Sequence, residues 1–327
     1  MSILIVGGAG YIGSHVNKYL HRAGYDTVVV DNLCKGHIES VCCGEFFCGD
    51  IGDEAFMDRV FSSCKIEAVM HFAAYAYVGE SVISPSEYYE NNVIKTKLLL
   101  DSMRRNSVNN FIFSSTCATF GNATEIPITE THPQNPINPY GFTKFVVERM
   151  LYDYDNAYGL RSCIFRYFNA SGADPECEIG EWHEPETHLI PIIFEAATGK
   201  RAAVSIFGTD YPTTDGTCVR DYIHVCDLAE AHKLGMERLI KTGVSENYNL
   251  GCGKGYSVRE TINMASEITG VNIATIETER RKGDPPTLIG AMQKAEKLLN
   301  WKPKYSLKDS IETAWNWYVK KEKLEKK

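Results

Sequence analysis

The run Ile3-Leu4-Ile5-Val6 breaks directly into Gly7-Gly8-Ala9-Gly10-Tyr11-Ile12-Gly13, and no other stretch restricts the fold so tightly. A short buried strand is expected to turn here into a helix. Gly8, Gly10 and Gly13 fit G-x-G-x-x-G, while Gly7 lets the same loop be read as G-x-x-G-x-x-G. Either spacing leaves the turn without Cβ atoms, so a pyrophosphate can approach the main chain. The helix beginning near Tyr11 and Ile12 then points free N–H groups and its positive dipole end at that anion. Alone, such a string could be a plain strand–helix turn. It gains weight from Asp26-Thr27-Val28-Val29-Val30-Asp31, a second strand at the expected distance, whose last residue can accept from an adenosine ribose 2′-OH. Asp31 would repel a 2′-phosphate, so the expected cofactor is NAD rather than NADP; Lys35 is the one neighbour that argues the other way.

Apolar strands alternate with amphipathic helices through the first half of the chain. Strands are expected at residues 2–7, 26–31, 45–48, 66–73, 109–115 and 160–167, and helices at 11–23, 53–63, 84–106 and 139–158. That alternation calls for an α/β fold, a Rossmann-type doubly wound parallel sheet covered on both faces. At 327 residues the chain exceeds the usual size of one core, so a smaller second lobe is expected. The pattern changes after Asn169, where Ser171-Gly172-Ala173-Asp174-Pro175 opens a polar loop. Arg220-Asp221-Tyr222-Ile223-His224-Val225 and Tyr248-Asn249-Leu250-Gly251 read as strands returning to the first lobe. The expected division is therefore an NAD-binding domain of residues 1–170 with returning strands at about 220–251, and a discontinuous α/β substrate lobe of residues 171–219 and 252–327. That lobe would close over the carboxyl edge of the sheet, where open sheets bind ligands.

The formal net charge of −8 argues against a nucleic-acid surface, which needs a basic face. The mixed charges from Lys320 to Lys327 read as a solvated helix end. Eleven cysteines without a C-x-x-C pair suggest neither a disulfide framework nor a zinc site, and no metal is expected; the compartment should be reducing, hence cytoplasmic. No signal-peptide pattern and no long apolar run argue for export or a membrane span. The histidines lack H-E-x-x-H spacing, and His71 reads as a satisfied strand histidine.

Asn138-Pro139-Tyr140-Gly141-Phe142-Thr143-Lys144 starts a helix, with Asn138 suited to the N-cap and Pro139 to the first turn. Tyr140 and Lys144 then share one helix face. Tyr-x-x-x-Lys is common by chance; here it follows the fifth strand, whose end carries Ser114-Ser115-Thr116. Lowering a phenol pKa of ~10 by ~3 units costs about 4 kcal/mol. An ammonium at about 5 Å supplies roughly 3 kcal/mol at an effective dielectric near 20, and the positive nicotinamide ring of NAD⁺ adds a term of the same sign. Tyr140 is thus expected to act as the base that takes a proton from a sugar hydroxyl while hydride leaves the same carbon. Thr116 would hydrogen-bond that hydroxyl; its plainer role would be capping the backbone at the strand end.

These motifs resemble the extended short-chain dehydrogenase/reductase family, and within it the UDP-glucose 4-epimerase group. The resemblance runs nearly end to end: the glycine loop, Asp31-Asn32-Leu33, Gly49-Asp50-Ile51, His71-Phe72-Ala73-Ala74, Val78-Gly79-Glu80-Ser81, Tyr89-Glu90-Asn91-Asn92, Arg166-Tyr167-Phe168-Asn169 and the run from Asp215 to Val225. It implies that Asp50 and Ile51 hold the adenine and that Phe72, Ala73, Ala74, Asn92 and Ser114 line the cofactor path, with Asn32 beside Asp31. Tyr167 and Phe168 would flank the nicotinamide, and Lys144 would also bond its ribose. Asn169, Arg220 and Arg281 would meet the UDP phosphates, Phe207 the uracil and Asp284 the uridine ribose, with Leu189, Tyr222 and Leu288 completing the substrate wall. Two arginines on a diphosphate are bidentate donors on a dianion, although Arg220-Asp221 taken singly could be a surface ion pair. The implied activity is exchange of UDP-galactose and UDP-glucose at C4 through a 4-keto intermediate, in a homodimer formed by the helices at 84–106 and 139–158.

Three positions depart from the group's pattern. Ala76 stands where many members have a lysine, which removes a ribose contact and implies weaker retention of NAD. Thr187-His188 replaces paired asparagines, with His188 still expected to face the UDP. Leu288 stands where members restricted to unacetylated sugars often have tyrosine, so UDP-N-acetylhexosamines are an alternative substrate. A nucleotide-sugar 4,6-dehydratase would have an Asp-Glu pair after the strand-end threonine, and this chain has Thr116-Cys117-Ala118-Thr119. A uronic-acid epimerase or decarboxylase would need a cation for the sugar carboxylate, and none is identifiable. A non-enzymatic NAD-binding module would be expected to lose Tyr140, Lys144 or Thr116.

Overall fold

The computed structural model describes residues 2–281 and 284–325. In the first half, strands β1 (Ser2–Val6), β2 (Asp26–Asp31), β3 (Glu45–Cys48), β4 (Ile66–His71), β5 (Asn110–Thr116) and β6 (Arg161–Tyr167) are interleaved with helices. These are α1 (Tyr11–Arg22), α2 (Glu54–Ser63), α3 (Val78–Ile83), α4 (Pro85–Tyr89), α5 (Lys95–Arg105) and α6 (Pro139–Tyr158). The second half adds β7 (Asn169–Ser171), α7 (Leu189–Ala197), β8 (Val204–Phe207), β9 (Val219–His224), α8 (Val225–Thr242) and β10 (Glu246–Leu250). It ends with β11 (Gly255–Ser257), α9 (Val258–Thr269), β12 (Thr275–Thr278), β13 (Thr287–Leu288), α10 (Gln293–Leu299) and α11 (Leu307–Glu325).

Among the described residues, seven strands form one parallel sheet in the order β10-β6-β5-β4-β1-β2-β3. The doubly wound α/β expectation holds, and its cause lies in the strand sequences. Alternate residues of β1 serve opposite faces: Ile3 and Ile5 pack with Val16 and Leu20 of α1 and with α8, while Leu4 and Val6 pack with Met57, Leu99 and Val147. A sheet buried on both faces needs such uninterrupted apolar strands. The chain winds outward from β1 in both directions, so a crevice opens beyond the carboxyl ends of β1 and β4.

Two expectations need correction. Of the two segments expected to return to the first lobe, residues 246–250 join its sheet as β10, paired with β6. Residues 219–224 instead form β9, which pairs with β7, β11 and β13 in a separate sheet. The reason is Asp221: it is fully buried and its carboxylate accepts from the backbone N–H groups of Cys252, Gly253 and Gly290 at 2.6, 3.1 and 3.1 Å. A buried carboxylate needs such donors, and these amides lie in loops that follow β10 and β13, so the charge holds β9 beside those loops rather than in the main sheet. The helix expected over 84–106 is broken as well, with a widened π turn at Glu90–Ile94 between α4 and α5. Asn92 lies in that turn, a device often found beside functional sites.

The second lobe has its own core, in which Ile190, Ile193 and Phe194 of α7 meet Ile206, Tyr222, Ile262 and Ile311. No helix among the described residues is long and apolar enough to cross a membrane. The two lobes are bound together partly at Asp227 of α8, whose carboxylate accepts from Lys304 and Tyr305 N–H, while its carbonyl accepts from Trp301 Nε1 at 3.0 Å. Trp301 is fully buried in the core beneath the sheet. Replacing it by alanine is expected to cost about 3–5 kcal/mol, read as a fall in the urea midpoint at unchanged slope; a loss under about 1 kcal/mol would contradict this packing.

Candidate active site

One cavity of about 1170 Å³ runs from the glycine loop, past the ends of β4 and β5, into the second lobe. Its first wall is the turn after β1. Gly7 has φ +78°, and a Cβ there would stand 2.4 Å from the Ala73 nitrogen; a Cβ on Gly13 would stand 2.2 Å from the Gly7 carbonyl oxygen. The loop after β4 and the first turn of α1 therefore close on the glycine turn with no room for side chains. The N-cap of α1 is Gly10, no side chain caps it and no acid lies in the first turn, so Gly10, Tyr11, Ile12 and Gly13 present an uncompensated helix N-terminus to the cavity. That arrangement suits a pyrophosphate.

Asp31 also lines this end. One of its oxygens accepts from Ala9 N–H at 3.0 Å and the other from Leu33 N–H at 2.8 Å, and each keeps a lone pair for a further donor. Burial raises its pKa while those two bonds oppose the rise. Asp50 is fixed by Asn32 at 2.9 Å, Lys95 at 2.6 Å and Gly52 N–H at 2.8 Å, and lines the cavity with Asn32 and Ile51. The donor set, with bare main chain and a helix end for phosphates and a carboxylate for a ribose, fits NAD.

The middle of the cavity is the meeting of β5 with α6. Asn138 caps α6 through Gly141 N–H at 2.8 Å, and Pro139 opens the first turn, as the sequence predicts. A Cβ on Gly141 would stand 2.6 Å from the Ala118 carbonyl oxygen. Only glycine lets the helix lie against the turn at Cys117–Phe120, and this contact carries Tyr140 to the strand end, beside the Thr116 hydroxyl that favours its ionised form. Lys144, one turn on and buried, donates to the Ser114 carbonyl at 2.7 Å and lies 4.9 Å from the Phe113 ring centre. Burial pushes the Tyr140 phenol up to about 12, the Thr116 hydroxyl offsetting this only in part. Burial likewise draws the Lys144 ammonium down to about 7 against the pull of the Glu148 carboxylate. Desolvation thus opposes the expected phenolate and the ammonium alike before any ligand enters.

Phe72, Ala73, Ala74, Ser114, Tyr167 and Phe168 line the same space. Beyond them, Asn169, His188, Leu189, Phe207, Arg220, Tyr222, Arg281, Asp284 and Leu288 line the second-lobe end. Arg281 stacks on Phe207 at 3.8 Å from the ring centre. Arg220 donates to the carbonyls of Val219 and Pro285 and lies 3.6 Å from Asp284; it does not pair with Asp221. His188 is the N-cap residue of α7 and turns Nδ1 to Glu181 at 2.7 Å. Burial opposes a charge on its ring, but the two carboxylates of Glu181 and Glu186 override this and raise its pKa.

Of the expected site residues only Asn92 stands off the cavity wall. Its amide holds Tyr75 by backbone N–H (2.8 Å) and carbonyl (2.9 Å) and donates to Thr143 at 3.2 Å, pinning the loop after β4 to α6. His71 lies buried in β4 as expected, but only half satisfied: Nε2 meets Thr96 at 2.9 Å while Nδ1 has no partner. Sequence reading missed the support behind Lys144. Glu148 receives Arg166 at 2.6 Å and Ser115 at 2.5 Å in a buried network, and Gln134 at 2.9 Å at its half-buried edge. Its only sequence signal was Glu148 one further turn along α6. It also missed the gathering of Glu181, His183, Glu186 and His188, whose alternation was visible but matched no known spacing.

Known proteins resemble this chain along its whole length. A family model described as GDP-mannose 4,6 dehydratase matches residues 4–314. The UDP-glucose 4-epimerase of Halalkalibacterium halodurans is 51% identical over 319 residues, 97% of this chain and 96% of its own length. The crystal structure of UDP-glucose 4-epimerase from Brucella ovis in complex with NAD superposes with a TM-score of 0.94 at 49% identity, covering 96% of this chain and 97% of that one. That from Bifidobacterium longum in complex with NAD⁺ and UDP gives a TM-score of 0.94 at 38% identity, covering 98% of each. With relatives of this identity over nearly its full length, the chain belongs to the UDP-glucose 4-epimerase family of extended short-chain dehydrogenases/reductases.

Proposed function

We propose that the protein interconverts UDP-galactose and UDP-glucose by inverting C4 of the hexose, with NAD held throughout. The observation that carries this is the junction of Tyr140, Lys144 and Thr116 at the end of β5, inside a cavity that joins an NAD-type cradle to an arginine-bearing second lobe. NAD held along the glycine turn, Asp31, Tyr167 and Phe168 would supply the hydride acceptor and donor for C4. Tyr140 removes the proton of the 4-hydroxyl and later gives it back, Thr116 holds that hydroxyl, and Lys144 supplies the positive charge that makes the phenolate accessible. Arg220 and Arg281 grip the diphosphate, Asn169 and His188 assist them, and Phe207 and Asp284 take the uridine. The hexose is then free to turn between Tyr222, Leu189 and Leu288 and present its other face.

Dehydration is disfavoured because the residue after Thr116 is Cys117, whose thiol burial pushes up to about 12, and the next is Ala118. Neither can move protons at C5 and C6 at neutral pH. A second reading, in which UDP-N-acetylhexosamines are also turned over, rests on the aliphatic Leu288 in the cavity wall. We further propose a homodimer through the outer faces of α4–α6 and the turn between them, where Tyr89, Ile94, Phe142 and Tyr152 are exposed. The eleven unpaired cysteines support a cytoplasmic location.

Incubating the protein with UDP-galactose and no added acceptor should yield UDP-glucose without release of water or carbon dioxide. Under these conditions Tyr140→Phe should retain bound NAD and lose about 10²–10⁴ of turnover; unaltered turnover would remove Tyr140 from its role. The site also implies a signature in the ligand-free protein. Because the folded-state pKa of Lys144 lies below its unfolded value, the unfolded chain binds the extra proton between about pH 7 and 10 and stability rises with pH across that window. Relative to Lys144→Met, the unfolding free energy of the wild type should therefore climb by up to about 1.4 kcal/mol per pH unit there. A flat difference in urea titrations would place the ammonium in water.

A further inference from the structure

Between β7 and α7 the chain draws Glu181, His183, Glu186 and His188 together, with one ligand-type atom from each lying within 4.8 Å of all the others. His183 Nδ1 stands 3.2 Å from Glu181 Oε1 and 3.9 Å from Glu186 Oε2. His188 Nδ1 stands 2.7 Å from the same Glu181 oxygen and 3.3 Å from Glu186 Oε1. Four donors at about 2.0–2.2 Å from a tetrahedral ion are separated from one another by roughly 3.4 Å, and the observed separations fall on both sides of that length.

His188 pairs with both carboxylates, yet two observations show that the four groups satisfy one another only in part. His183 Nδ1 is enclosed without a hydrogen-bond partner, although a carboxylate oxygen lies 3.2 Å away, so the two face each other with a geometry unsuited to N–H···O. The Glu181 and Glu186 side chains are only 9% and 7% exposed, which places two carboxylates side by side with little water. Glu186 Oε1 is already bonded to Thr187 and His188 N–H at 2.7 and 2.8 Å, leaving Oε2 available. The contrast with Asp174, Glu176 and Glu178 is instructive. There the Lys18 ammonium already occupies the centre, at 2.6, 3.3 and 2.6 Å from the three carboxylates.

We propose that Glu181, His183, Glu186 and His188 form a four-coordinate site for a divalent cation of the zinc class. A pair of imidazole nitrogens with two carboxylates suits Zn²⁺ and disfavours Mg²⁺ and Ca²⁺, which take oxygen ligands. All four positions come from the protein, so the ion is structural. It clips the loop at residues 181–188 immediately before α7, the loop that brings Thr187, His188 and Leu189 to the cavity.

The test uses the full chain, stripped with a chelator and titrated calorimetrically with Zn²⁺. The expected result is one ion per chain, with a melting temperature that rises as the ion is added. His183→Gln and Glu186→Gln, checked as folded by circular dichroism, should each weaken binding beyond the roughly 10–100-fold that loss of an outer-shell partner costs. Co²⁺ in the wild type should give the visible bands of a tetrahedral nitrogen–oxygen site without a thiolate charge-transfer band, a readout independent of the variants. Absence of saturable binding, binding unchanged in both variants, or a thiolate band placing the metal on cysteines would each overturn the proposal.

Discussion

Tyr140 and Lys144 are carried by one face of α6 into a cavity wall where burial opposes charge on both of them, the phenol held up to about 12 and the ammonium drawn down to about 7. A phenolate–ammonium pair has to overcome that desolvation before it can serve as a base. Glu148 works toward it from the far side, favouring the charged form of Lys144. Arg166, Ser115 and Gln134 hold the Glu148 carboxylate in turn, so a buried network one helical turn away fixes the field at the reacting end. The cationic ring of NAD⁺ is the further positive charge that such a site requires, and it would favour the phenolate when oxidised cofactor is present.

The rest of the fold delivers groups to that point. Gly141 lets α6 touch the turn after β5, and the glycine turn after β1 lets α1 and the loop after β4 close on each other. Asn92, from its π turn, ties the loop after β4 to α6 through Tyr75 and Thr143. Asp221 gathers the amides of Cys252, Gly253 and Gly290 so that β9 can present Arg220 and Tyr222 from the second lobe. The nucleotide end is thus built from rigid contacts, and under the proposed binding mode the hexose would meet few fixed hydrogen bonds, which suits a ring that must turn over.

Much of this is legible in the sequence. Strands β1, β2, β4, β5 and β6 each hold a central run of three or more apolar residues, and helix ends at Asn138 and Gly159 carry strong local signals. The glycine spacing, Asp31 and Tyr140-x-x-x-Lys144 pointed to a shared cavity because each has a local geometric meaning. What escaped was set by distant partners. The strand at residues 219–224 looks like a returning strand until one knows where the Asp221 carboxylate finds its amides. The break at Glu90–Ile94 answers to a loop nearly twenty residues away, and the pKa directions depend on enclosure that no spacing expresses.

The proposed epimerisation requires the C4 hydrogen to leave as hydride and return to the same carbon while Tyr140 moves only the hydroxyl proton. The most direct measurement is mass spectrometry of product formed from UDP-galactose carrying deuterium at C4, in ordinary water. UDP-glucose that keeps its deuterium at C4 is the result predicted here. Loss of that label to solvent would show the hydrogen leaving as a proton and would contradict the mechanism.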